Sequence, residues 1–204
     1  MTHSSLRSFA VLAGLVSAPL MAADLTVTVL DNRGEPLENA VVFLKSDALI
    51  KQAVPQSGVE MAQQNREFIP GLQIVTKGTP IAFPNQDDVR HHVYSFSPAK
   101  TFELKLYIGK PKDPVVFDQE GIVELGCNIH DTMLAWVLVT ETPIFTKTNA
   151  SGEAVFSGQA SDEYTIDVWH RSFPYGAPYE STTLELGSQD VNQTITLSSA
   201  GGAF

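Results

Sequence analysis

Apolar and polar residues alternate one for one along much of this chain, and a period of two cannot be laid on one face of a helix. Leu25-Thr-Val-Thr-Val-Leu30 shows the pattern, as do Thr101-Phe-Glu-Leu-Lys-Leu-Tyr107 and Tyr164-Thr-Ile-Asp-Val-Trp169. Between residues 68 and 140 no apolar spacing of three and four is sustained. Turn clusters cut the runs short at Asp31-Asn-Arg-Gly34, Asn85-Gln-Asp-Asp88 and Asn149-Ala-Ser-Gly152. Many short strands with frequent turns predict an all-β chain, with a Greek-key sandwich over residues 58–140. Asp47 to Ala53 reads as a short helical turn, and the polar stretch Gln56 to Glu67 reads as a connection.

The chain opens with Arg7, the apolar run Phe9 to Leu20 and the small residues Ala22-Ala23. That order reads as a secretory signal peptide over residues 1–23, and its apolar run is too short to span a bilayer. No later segment approaches membrane-spanning length, so the chain is expected not to span a membrane after cleavage. The formal net charge is −10 at pH 7. Such an acidic exported chain is a poor ligand for nucleic acid and is suited to meeting a basic patch on a partner.

Only one cysteine is present, Cys127. It cannot close an intramolecular disulfide, so it is intermolecular, inert and buried, or a thiolate that reacts or binds metal. Its neighbours are Gly126-Cys127-Asn128-Ile129-His130-Asp131-Thr132-Met133. Cys-x2-His-x2-Met offers a thiolate, an imidazole and a thioether on one short loop. Thiolate and thioether are soft ligands that favour copper, and two His, one Cys and a long axial Met compose the blue-copper electron-transfer set. Half a zinc site and an inert core cysteine are the alternatives, although zinc takes Cys, His and carboxylate and gains nothing from Met133.

One ligand is missing from the loop, and it must be a second histidine. His3 belongs to the leader, and His170 stands in Trp-His-Arg-Ser-Phe, away from the loop, as a surface or packing residue. His91 and His92 follow a turn and open a strand. Adjacent strand residues face opposite ways, so only one of the two is expected in the site.

Phe68-x-Pro70, Val75-x-x-Gly78-x-x-Ile81-x-Phe83-x-Asn85, His91-x-Val93 and the Gly126 to Met133 loop together resemble the cupredoxins, the small blue copper proteins, and among them plastocyanin and especially amicyanin. The whole chain is also similar to exported bacterial proteins labelled "methylamine utilization protein", a label that does not establish a role in methylamine metabolism. The resemblance implies one type 1 copper held by His91, Cys127, His130 and Met133. It implies that His92 stands where an asparagine usually ties the two ligand loops together, as a supporting residue or an alternative ligand, with Asn85 and Asn128 also beside the ligands. The apolar residues Val93, Phe96, Leu125, Ile129 and Leu134 are expected to keep water from the site, and His130 to offer the electron's exit.

Two further segments carry a different resemblance. Asp31-x-x-Gly34-x-Pro36-Leu37 with Ala40-x-Val42, and Thr148-x-Ala150-Ser151-Gly152-x-Ala154-x-Phe156 with Tyr164-Thr-Ile-x-Val168, resemble halves of an Ig-like or carboxypeptidase-regulatory-like β-sandwich. Residues 24–57 would hold the first half and a connection, and residues 141–204 the second, with the copper domain inserted between them. Two sequential domains are the alternative, and the pattern leaves both open.

The function these features imply is that of a periplasmic carrier of single electrons between redox proteins, such as a cytochrome or an oxidoreductase. Copper storage, delivery or sensing is a second reading, and an exported structural β protein with a vestigial copper site a third. No Ser-His-Asp arrangement, phosphate loop or zinc-hydrolase motif argues for an enzyme.

Overall fold

The computed structural model describes residues 22–198. The signal peptide expected over residues 1–23 lies outside them, apart from Ala22 and Ala23. The first elements are β1 (Ala22–Leu30), β2 (Val41–Lys45) and the one-turn helix α1 (Asp47–Ile50). Ser46 caps the helix, its hydroxyl accepting from the Leu49 N–H at 3.4 Å. Ten strands follow: β3 (Val59–Glu60), β4 (Ala62–Gln64), β5 (Glu67–Ile69), β6 (Leu72–Thr76), β7 (Thr79–Ala82), β8 (His91–Ser97), β9 (Lys100–Tyr107), β10 (Val115–Phe117), β11 (Gly121–Gly126) and β12 (Leu134–Thr140). The last five are β13 (Phe145–Lys147), β14 (Glu153–Ala160), β15 (Asp162–Trp169), β16 (Glu180–Leu186) and β17 (Val191–Thr196). Apart from that one helical turn the described residues are all-β, as the alternation predicts.

Five sheets result, with strand orders β14-β1-β17, β13-β2-β15-β16, β6-β12-β11-β8-β9, β10-β7-β3 and β4-β5. The first two join the start of the chain to its end. β1 pairs antiparallel with β14 and parallel with β17, and β2 lies between β13 and β15. The other three sheets are built wholly from residues 59–140.

Two apolar clusters follow the same division. One holds Leu25, Val27, Val29, Val41 to Leu44, Phe156, Ile166 and Val168. The other holds Met61, Val75, Ile81, Phe83, Val93, Phe117, Val123, Leu125, Val137 and Val139. Phe83 and Phe117, 1% and 0% exposed, each contribute about 2 kcal/mol by burial. The five-stranded sheet serves both clusters. Val137 and Val139 of β12 point to the second cluster, while Leu138 and Trp136 face the first. That sheet is therefore covered on both faces along β12, whose Leu-Ala-Trp-Val-Leu-Val reads as an apolar run rather than an alternation.

Polar contacts fasten the two parts. The Tyr179 hydroxyl donates to the carbonyls of Gly121 and Val139 at 3.2 and 3.3 Å. Lys45 on β2 reaches Asp167 at 2.6 Å and Glu120 at 3.1 Å.

The stretch Gln56 to Glu67, expected to be a connection, instead contains β3 and β4. Met61 and Gln63 are fully buried. Polar Gln63 satisfies its side-chain N–H groups on the Phe83 carbonyl and the Tyr107 hydroxyl, so its polarity concealed an inward-facing strand position.

Candidate metal centre

The Cys127 loop is a short bridge between two paired strands. Gly126 ends β11, Leu134 begins β12, and the two residues face each other in the antiparallel ladder. The Met133 N–H donates to the His130 carbonyl at 3.0 Å and tightens the turn. Gly126 also pairs with Tyr94 of β8. A Cβ at Gly126 would lie 2.8 Å from Tyr94 Cζ and Oη, so glycine is what lets the ring rest on the strand just before Cys127.

His91 starts β8 opposite Tyr107 of β9. The ladder is irregular between His91 and Val93, and such a bulge re-aims side chains. It leaves both His91 and His92 buried, at 0% and 5% exposure. They go different ways. His91 meets Cys127 and His130, and ligand atoms of the three residues lie within 4.8 Å of one another. The Cys127 Sγ to His130 Nδ1 distance is 3.8 Å, and the His91 and His130 rings stand 4.9 Å apart. His92 turns to Glu103, its Nε2 donating to Oε1 at 2.8 Å, and packs against Tyr94. Met133 is 2% exposed and belongs to the same apolar cluster as Cys127.

The position of His91 is set by a residue that sequence reasoning missed. Asp87 Oδ2 lies 2.7 Å from His91 Nε2. The same carboxylate accepts the backbone N–H groups of Asn65 and Arg66, at 2.7 and 2.9 Å. Both residues take left-handed backbone angles, φ 55° and 60°, which turn consecutive amides toward it. Burial works against the charge of Asp87, but the Arg66 amide, the His91 ring and the Asn65 amide outweigh it and hold its pKa below the ordinary carboxylate value. An ionised carboxylate only accepts, so the shared proton sits on His91 Nε2, which in the neutral ring leaves the lone pair on Nδ1. Among the described residues, His91 Nδ1 and His92 Nδ1 are both buried with no hydrogen-bond partner, but only His91 belongs to the group with Cys127 and His130. The signal that could have found Asp87 is its place four residues before His91, within the turn that the Asn85 cluster announces.

Asn85 does not join the donor group. It is buried, donates to the carbonyls of Val89 and Tyr107 at 2.8 and 2.9 Å, and accepts from the Asp87 N–H at 2.9 Å. It thereby ties the loop before His91 to β9. Tyr107 is fixed in turn, its hydroxyl donating to the Phe83 carbonyl at 2.7 Å, and burial pushes its pKa up to about 12. Asn128 is exposed and lines a surface pocket with His92, Tyr94 and Phe96. His170 is not part of the group, and its Nδ1 lies 2.8 Å from the Ser172 hydroxyl.

The apolar surround differs from expectation. Val93 and Leu125 are fully buried, but Phe96, Ile129 and Leu134 are 72%, 46% and 51% exposed. Phe96 points to the outer face of the sheet, and Ile129 and Leu134 sit on the rim of the loop. Shielding falls instead to the buried Val93, Leu125 and Met133.

The donor set fits a soft metal ion. A buried imidazole lone pair left without a partner is costly unless something binds it. It lies beside a thiol and a second imidazole, with a thioether in the same cluster. The nearby carboxylate of Asp87 is committed to three N–H groups, which disfavours a zinc site completed by that residue.

No family model matches the chain, and no curated protein matches it. Solved structures are similar over part of it. A purple cupredoxin from Nitrosopumilus maritimus is 19% identical with TM-score 0.36, covering 40% of this chain and 99% of its own. A reduced Cu(I) amicyanin variant is 16% identical with TM-score 0.36, over 48% of this chain and 98% of its own. A Cu-containing nitrite reductase from Thermus scotoductus SA-01 is 17% identical with TM-score 0.39, over 57% of this chain but 28% of its own. Each likeness is distant and partial.

Proposed function

We propose that this chain is a type 1 copper protein that carries single electrons between redox partners. The observation that carries the reading is the partnerless, buried Nδ1 of His91 beside Cys127 and His130, whose ligand atoms lie within 4.8 Å of one another. His91, Cys127 and His130 would hold one copper ion, with the Met133 thioether as the weak fourth ligand. When bound, copper supplies a reversible one-electron change that two imidazoles, a thiolate and a thioether tolerate in both oxidation states. The chain's own part is to hold the donors still. Asp87 fixes the His91 ring, the β11–β12 ladder fixes the loop ends, and Val93 and Leu125 keep water out. In this reading the chain is a carrier and not a catalyst.

His130 is only partly buried, and the exposed Ile129 and Leu134 flank it. That apolar rim on an acidic chain suits a redox protein with an apolar contact patch and basic surroundings, such as a cytochrome. No described helix is long and apolar enough to cross a membrane. The leader-like residues 1–23 support export to the periplasm. The pairing of β1 with β14 and β17, and of β2 with β13 and β15, supports a copper domain, residues 58–140, inserted into a second β-sandwich. No link to methylamine metabolism is part of the reading.

The test is to add Cu(II) to the purified chain and record absorption and spin-resonance spectra. An intense blue colour with a type 1 spectrum is expected, and Cys127→Ser should abolish it. A colourless complex would overturn the reading. The partly exposed loop favours copper delivery as the second reading. Rapid exchange of copper to a chelating partner, with slow electron transfer, would select it.

A further inference from the structure

We infer that the cleft between the two β-sandwiches is a binding site for a small aromatic oxyanion, a flat ring bearing a carboxylate or phosphate. The cleft is open to solvent on one side, has a volume of about 380 Å³ and is lined by Leu72, Leu134, Trp136, Lys147, Trp169 and Arg171, among others. That volume suits a single-ring ligand. One wall comes from the metal domain, where Leu72 of β6 and Trp136 of β12 pair in register. The other comes from β13, β15 and the turn after β15. Neither sandwich makes the cleft alone.

The floor is aromatic, with the partly exposed Trp136 ring as the surface a ligand can reach and the buried Trp169 backing it. Trp136 and Trp169 lie 5.8 Å apart at 56°, a tilted pair, and Trp169 is 2% exposed. Leu134 adds an exposed apolar edge. A flat ring can bury its face here and gain both area and aromatic contact.

The rim is cationic. The Arg171 guanidinium stands 5.9 Å from the centre of the Trp136 ring, a cation–π placement that limits its freedom before any ligand arrives. Lys147 lies on the same rim. Among the described residues neither side chain forms an ion pair, whereas Arg33, Lys45, Lys77, Lys100 and Lys110 all do. No Asp or Glu among the described residues lines the cleft. In a chain of formal charge −10, two unpaired cations facing an aromatic floor select an anion, and a guanidinium fork matches carboxylate or phosphate. The ligand would sit beside Leu134, the residue after Met133.

The experiment uses the whole purified chain and its own fluorescence. The chain has two tryptophans, and both line this cleft. Benzoate, phenyl phosphate and neutral benzamide are titrated in turn. A saturable emission change is expected with benzoate or phenyl phosphate, and the tighter of the two identifies the anionic group. Benzamide should bind at least about tenfold more weakly, since a charge-assisted hydrogen bond is lost. The double variant Arg171→Gln, Lys147→Gln removes surface charge without emptying the core, and should weaken anion binding by about tenfold or more while its far-ultraviolet circular dichroism is unchanged. No saturable response to either anion, equal affinity for benzamide, or unchanged affinity in the double variant would each overturn the inference. None of these readouts depends on copper, so the outcome is independent of the metal reading.

Discussion

Asp87 Oδ2 stands 2.7 Å from His91 Nε2, and the pair determines which nitrogen of that histidine is free. The carboxylate is itself pinned by the amides of Asn65 and Arg66. The ring is thus oriented by two turns, the one before β8 and the one between β4 and β5, and its bare Nδ1 is left for a ligand.

Removing this support should loosen the site without deleting a ligand. Asp87→Ala is expected to lower copper affinity by about 10–100-fold, the usual cost of losing a group that orients a metal-bound histidine. Competition with a copper chelator measures it. Asp87→Asn keeps one acceptor for the His91 N–H and should fall between wild type and Asp87→Ala. Equal affinity in all three would refute the role of Asp87.

The two adjacent histidines should behave differently. His91→Ala is expected to abolish the blue absorption, because it removes a donor. His92→Ala should keep an intense band at a somewhat shifted position, because His92 is engaged with Glu103 rather than with the Cys127 cluster. Absorption spectra of the two copper-loaded variants decide it, and the opposite pattern would exchange their roles.

Gly152 clamps the two ends of the chain together. It has φ +74°, and an added Cβ would lie 2.5 Å from the Val29 carbonyl oxygen and 3.1 Å from the Leu37 nitrogen. Those are backbone atoms and cannot swing aside. Gly152→Ala should cost about 2–4 kcal/mol of stability, combining backbone strain with a steric clash. Gly158→Ala is the control for strain alone, since it shares a positive φ of 65° but has open space around it. Chemical denaturation should show the larger loss at Gly152.

His170 should make the fold weaken as the pH falls. Burial first, and the neighbouring charge of Arg171 second, hold its pKa below the ordinary histidine value of 6.5. The unfolded chain therefore takes up a proton near pH 6.5 while the folded chain does not. The unfolded state binds more protons in this window, so stability rises with pH through it and is lost on acidification. The Ser172 hydroxyl and N–H, at 2.8 and 3.3 Å from Nδ1, hold the neutral ring. His170→Asn should flatten the fall in stability between about pH 7 and pH 5.5, compared with wild type under the same metal loading. An identical slope in the variant would count against this account.

Local patterning determined the strands and the loop. A period of two specifies extended backbone wherever one face is buried, so the runs at 25–30, 101–107 and 164–169 read as strands without tertiary information. Cys127, His130 and Met133 are neighbours in sequence, so a tight loop brings them into one region by chain geometry alone. What the pattern could not supply was long-range. The pairing of β1 with β14 and β17 joins opposite ends of the chain, and nothing local distinguishes that partner from another strand of like alternation. The same holds for burial at the site. Phe96, Ile129 and Leu134 are as apolar as Val93 and Leu125, and only the packed sheet decides which of them face water. Between His91 and His92 the difference is one bulge in β8 and which carboxylate each ring meets, Asp87 or Glu103. Both lie outside the two-residue period, because a bulge breaks the alternation and a hydrogen bond across a turn leaves no periodic trace.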